Sequence, residues 1–212
     1  MFLLILSLLF VWMLYRDFKA KKANIKGFES FDRYYRLSLL ALILICWWFP
    51  FNQWQFNRYL TDKATELAGG EPVSIHCDSA IDAIFEDGVG RAGSAYIEER
   101  RIVFHYSWCG KLKNFLDNPQ EKLTREERFS MHVFTHEVMH IRGEYNEQKT
   151  DCQAIQRDYQ AALLLGVPEY VARENALDYY QTEYPRHPYY SSQCHPGGPM
   201  DEKLPNSVWK FL

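Results

Sequence analysis

Two dense apolar runs open the chain, and neither alternates like a strand. Phe2–Tyr15 is broken only by Ser7 and closes with Trp12 and Tyr15, residue types that favour the headgroup level of a bilayer. At 1.5 Å per residue it covers roughly 22 Å of a ~30 Å hydrocarbon slab, so it must thin the bilayer, borrow flanking residues or lie partly in the interface. Leu37–Phe51 (LSLLALILICWWFPF) extends back over Tyr34 and Tyr35 and forward to Trp54. That gives the length of about 20 residues that a spanning helix needs, with Arg36 able to snorkel at one end. Between the runs stand Arg16, Lys19, Lys21, Lys22, Lys26, Arg33 and Arg36, a basic loop that the positive-inside rule assigns to the cytoplasm. A cleavable signal carries its positive charge before the apolar stretch, whereas here it follows. The expectation for residues 1–54 is a two-pass transmembrane hairpin in a bacterial cytoplasmic membrane, with the rest of the chain outside. The alternative is the buried helical hairpin of a soluble protein, which the flanking Trp and Tyr residues suit less well.

After Trp54 the pattern changes. Residues 55–70 continue as a helical stalk or linker, stopped at Gly69-Gly70. Val73–Cys77 has the composition of a short strand, and Ser94–Glu98 with Arg101–Tyr106 (RIVFHY) predict a hairpin about a Glu99-Arg100 turn. Helical spacing begins at Thr124, where TREE fits a capping box, and runs to about Arg142 with Gly143 just beyond. Glu147–Leu165 and Pro168–Tyr184 predict two further helices. Pro185–Leu212 reads as a Pro/Gly/Tyr-rich loop. The expected fold class is α+β, with a compact domain over residues 71–212.

Charge sharpens the division. Up to Trp54 there are seven Lys/Arg against three Asp/Glu; from Gln55 on there are 17 against 24, with all seven His. An acidic balance argues against a phosphate-tracking surface, so no nucleic-acid partner is expected. Cys46 lies inside the second run, while Cys77, Cys109, Cys152 and Cys194 fall in the part assigned to the outside. An even number there suits an oxidising compartment and two disulfides. Three connectivities are open, with Cys77–Cys109 and Cys152–Cys194 preferred.

The chemistry concentrates in His136-Glu137-Val138-Met139-His140. Residues four apart on a helix stand one turn above each other, so two imidazoles there can grip one metal ion. Glu137 beside them can take a proton from water whose pKa zinc lowers to around 7, and pass it to a leaving amine. His132 extends the stripe, but its separation from His140 is roughly 12 Å of helix rise, beyond the reach of one ion. His132 is therefore read as a structural or supporting residue, and Glu144 fails as a ligand for the same reason. Glu147 is the better third ligand, because Gly143 lets the chain turn back beneath the histidines. Asp151, one turn further, can accept the free ring N–H of His136 or His140.

In HEVMH at 136–140 and NEQKTD at 146–151 the chain resembles the gluzincin, or thermolysin-like, zinc metallopeptidases. There a His-Glu-x-x-His helix is followed by a helix supplying a glutamate ligand. The resemblance implies that His136, His140 and Glu147 bind Zn2+, that Glu137 is the base, and that Asn146 and Asp151 buttress the histidines. It also implies a hairpin that holds an extended peptide or protein substrate. Six residues separate His140 from Glu147, far fewer than in thermolysin, which implies a minimal zincin core. Oxyanion stabilisation needs a further donor; His187, Tyr189, Tyr190 and His195 in the C-terminal loop are the candidates, with His195, beside Cys194, assigned the catalytic role. The expectation is thus a membrane-anchored zinc peptidase. The rival is a membrane-anchored scaffold or binding protein whose structural zinc is closed by four protein ligands.

Overall fold

The structure is a computed structural model that describes residues 2–22, 29–78, 92–119 and 123–212. The part of the basic loop at 23–28, including Lys26, lies outside the described residues. The chain divides into two compact units, Met1–Phe56 and Asn57–Leu212.

In the first unit α1 spans Phe2–Lys22, and α2 (Glu29–Leu67) begins there and continues into the second unit. Asp17 of α1 pairs with Arg36 of α2 at 2.5 Å. Among the described residues, α2 is the one helix long and apolar enough to cross a membrane, over Asp32–Leu67. In α1 the apolar run ends at Tyr15, and Arg16, Asp17 and Lys19 follow. Along α2, Leu37, Leu44, Ile45, Trp48 and Phe49 are each more than half exposed, whereas a helix at the heart of a soluble core buries such residues.

The segment expected as a helical stalk does continue α2, and its C-terminal part packs into the core of the second unit. Leu60, Ala64 and Leu67 at the end of α2 are buried. Thr61 and Thr65 accept hydrogen bonds from the backbone N–H groups of Ile75 and Val73, at 2.9 and 3.2 Å. That contact covers one edge of a three-stranded sheet ordered β1-β3-β2. Strand β1 is Ser74–Cys77, β2 is Gly93–Tyr96 and β3 is Arg101–Phe104. The central β3 runs parallel to β1 and antiparallel to β2, with Gly93 opposite Phe104 and Tyr96 opposite Arg101. The expected hairpin is therefore present, closed through Ile97–Arg100, and among the described residues β2 is the outer strand.

Helix α3 (Tyr106–Asp117) follows at once. Sequence reading misses it because Gly110 weakens its interior and His105 offers no side-chain cap, yet Cys109, Leu112 and Phe115 recur on one buried face. Helix α4 (Arg125–Ile141) starts at the expected capping box, in which Thr124 accepts from the Glu127 N–H and Glu127 accepts from the Thr124 N–H. From Ser130 to Met139 every residue of α4 is buried. It lies between the sheet, where Phe134 stacks on Phe104, and α5 (Glu147–Leu164). Helix α6 (Glu169–Asp178) is shorter than expected, because the hydrogen-bond register loosens to a π-turn over Tyr179–Glu183 and tightens to a 3-10 turn over Tyr184–Arg186. Disulfides join Cys77 to Cys109 and Cys152 to Cys194, fastening β1 to α3 and the C-terminal segment to α5.

Replacing the cap in Thr124→Ala removes a partner for an otherwise unmatched helix N–H and is expected to destabilise the second unit by about 1 kcal/mol. Chemical denaturation of the two proteins measures it; equal stabilities would mean that the box holds nothing.

Candidate metal centre

Helix α4 ends at a reversal. Gly143 adopts φ +99°, a left-handed conformation open to glycine without a Cβ clash, and α5 then runs back along α4. The return brings three donor atoms together. His136 Nε2 and His140 Nε2 lie 3.1 Å apart, and Glu147 Oε2 is 3.1 Å from the first and 3.4 Å from the second. Donor atoms held ~2.1 Å from one ion at tetrahedral angles are about 3.4 Å from each other. The observed triangle is of that size.

The remaining ring nitrogens point to fixed acceptors. His140 Nδ1 lies 2.8 Å from the Glu144 carbonyl, and His136 Nδ1 lies 3.3 Å from Asp151 Oδ1. With a proton on each Nδ1, both Nε2 lone pairs and the Glu147 oxygen converge on one point, where a cation can replace the protons that otherwise bridge these atoms. The residues present therefore fit a metal ion. A second group, His132, His136 and Asp151, is equally compact. It too could hold an ion; in it His132 Nε2 lies 2.9 Å from Asp151 Oδ1, and His132 Nδ1 lies 2.7 Å from Asp158 Oδ2 outside the group.

The electrostatics follow from burial against pairing. Burial opposes charge on His132, but Asp158 and Asp151 outweigh it and push its pKa up to about 10. Asp151 is also buried, yet the His132 charge and the hydrogen bonds of His132 and His136 hold its carboxyl well below the usual range. Glu147 is lowered chiefly by its hydrogen bond to His136. Glu137 goes the other way: burial pushes it up to about 7, helped by the nearby Glu147 charge and opposed by His136 and by the Ala95 N–H. Its carboxyl can thus hold or release a proton near neutrality. Gly93 makes room for it, since a Cβ there would lie 3.0 Å from both Glu137 Cγ and Oε1.

His132, His136, Glu137, His140, Glu147 and Asp151 open onto one cleft of about 640 Å³. Residues of β2 form one wall, α4 forms the floor, and Tyr145, His187 and Tyr189 form the rim. Tyr189 stacks on the His136 ring with centroids 5.8 Å apart. Two expected roles move. His195 does not line the cleft: its Nδ1 lies 3.0 Å from the Pro196 carbonyl, and its ring packs on Gly198 within its own turn. From the same C-terminal segment it is His187 and Tyr189 that reach the cleft. Asn146 caps α5, its side chain accepting from the Lys149 N–H at 3.0 Å, because an Asn just before a helix finds the unmatched N–H groups of the first turn. The Glu144 carbonyl orients His140 instead. A backbone oxygen has no side-chain signature, so this partner was hidden from sequence.

Comparison of the chain with family models, with curated proteins and with solved structures gave no match.

The geometry leads to an expectation of one divalent ion per chain, lost in His136→Ala and Glu147→Ala and kept in His195→Ala. Elemental analysis of the purified full-length proteins measures it. Retention of metal in both ligand variants would show that the ion sits elsewhere.

Proposed function

We propose that this protein is a membrane-anchored zinc peptidase of the gluzincin type, with His136, His140 and Glu147 as the metal ligands. The observation that carries the reading is the convergence of two imidazole nitrogens and one carboxylate oxygen at 3.1–3.4 Å in an open cleft that also holds Glu137. Two His and one Glu are a donor set of hydrolytic zinc sites, and structural sites are closed by four protein ligands. Among the described residues this group has three. When bound, zinc supplies Lewis acidity toward water and toward a substrate carbonyl.

The chain's own groups do the rest. Glu137, buried beside the ligands and held by the Ala95 N–H, takes the proton of the attacking water and passes it to the leaving amine. Asp151 and the Glu144 carbonyl keep the two rings turned with Nε2 inward. His187, which lines the cleft, is the proposed donor to a developing oxyanion. Strand β2, paired among the described residues with β3, lines the cleft, where an extended peptide could lie along it.

Anchoring rests on the exposed apolar surface of α2 and the length of its span. With α1 as a second crossing, the basic segment between the two helices lies in the cytoplasm and the metal site outside. Two disulfides in the second unit suit that oxidising side.

The deciding experiment uses the full-length protein in detergent with a panel of quenched fluorescent peptides. Glu137→Gln is expected to keep its zinc and lose at least about 100-fold in kcat. His140→Ala is expected to lose both zinc and turnover. Full activity in Glu137→Gln removes the proposed base.

The wall of the cleft supplies a second test. Gly93→Val puts side-chain atoms where the Glu137 carboxyl lies, and is expected to lower kcat more than it raises KM while zinc content stays at one per chain. Unchanged kcat would mean that the strand does not set the position of Glu137.

A further inference from the structure

His132 is buried, carries a carboxylate on each ring nitrogen, and has no part in the chemistry above. Its two partners, Asp151 and Asp158, are seven residues apart on α5 and are themselves almost wholly buried. Uncompensated carboxylates in such a place are costly. A ring that meets a carboxylate at 2.9 Å on one nitrogen and 2.7 Å on the other donates from both. Tyr179 lies flat against it, with centroids 3.8 Å apart and planes 16° from parallel, so the ring has little freedom to turn.

The shared atom is Asp151 Oδ1. It receives His132 Nε2 at 2.9 Å and His136 Nδ1 at 3.3 Å, so the shorter contact is with the residue that does not touch the ion. The other oxygen, Oδ2, is buried without a hydrogen-bond partner among the described residues, and His187 Nδ1 stands 3.6 Å from it. Without His132, the carboxylate that orients His136 would lose its shorter hydrogen bond and keep the 3.3 Å contact to that ring.

We propose that His132 is a positioning residue of the metal centre: braced by Asp158 and Tyr179, it fixes the Asp151 carboxylate, which fixes the rotation of His136 and so sets metal affinity. This rests on the reading that His136, His140 and Glu147 hold the ion. The His stripe of α4 then has two functions, with 136 and 140 gripping the ion and 132 locking the residue that aims the first of them.

The test is the zinc dissociation constant of the full-length protein in detergent, measured by competition with a chromophoric chelator. It is compared for wild type, His132→Asn, Asp158→Asn, Asp151→Ala and the double variant His132→Asn/Asp151→Ala. His132→Asn is expected to weaken zinc by about tenfold or more, in the range found for partners behind metal ligands. Asp158→Asn is expected to act in the same direction. In the Asp151→Ala background His132→Asn should have no further effect on zinc, because its influence passes through that carboxylate.

A purely structural role gives another pattern. The metal-free protein would melt at a lower temperature while the zinc constant stayed unchanged, or the two losses of affinity would add in full. Either result overturns the proposal. Should His132→Asn fail to fold, Asp158→Asn decides by the same criterion, since an unchanged constant there overturns it too. Absence of zinc binding by the wild type defeats the metal site itself, and is told apart from failure of this proposal, which requires a wild type that binds.

Discussion

Two imidazole nitrogens and a carboxylate oxygen held within 3.4 Å of one another across a helix reversal need a cation or bridging protons between them. That convergence is the constraint on which the rest of the second unit depends. It requires α4 to be straight and packed through His140, α5 to return at once, and the outer ring nitrogens to be occupied. Each requirement has a visible cause. Phe134 against Phe104 and the continuous burial of α4 fix the first helix, Gly143 makes the reversal, and Asp151 with the Glu144 carbonyl orients the rings.

The cost of the arrangement falls on buried polar groups. His132, Asp151 and Asp158 lie within a region that also contains Tyr179, and an unpaired charge there is worse than an apolar side chain. The solution is mutual: each carboxylate has a ring nitrogen, and the ring has two carboxylates. Glu137 is the exception. It keeps one backbone donor, from Ala95, and its carboxyl is raised toward neutrality by burial. A group left near the point of protonation is what a proton shuttle needs, which suits Glu137 to the role proposed for it.

Much of the site was legible in the sequence because its parts lie within sixteen residues. Helical spacing sets His136 over His140, and Gly143 announces the reversal that delivers Glu147. The capping box at Thr124 marked the start of α4. What escaped was carried by backbone atoms or distant residues: the Glu144 carbonyl behind His140, Gly93 and Ala95 around Glu137, and Asp158 behind His132. Of these, Asp158 left a trace, standing two turns after Asp151 on the same face of α5. His195 misled because proximity to Cys194 does not determine where a side chain goes; the Pro196-Gly197 turn closes the ring onto Gly198. The helical stalk was legible as a continuation of the apolar helix, whereas its packing through Leu60, Ala64 and Leu67, which recur at helical spacing and are buried, depends on partners distant in the chain.

X-ray absorption at the metal edge of the zinc-loaded, full-length protein tests the centre most directly. The expected spectrum has two imidazole ligands and one carboxylate with bonds of about 2.0–2.1 Å, together with one light scatterer that is not from the protein. A sulfur shell, a single imidazole, or four protein ligands would contradict it.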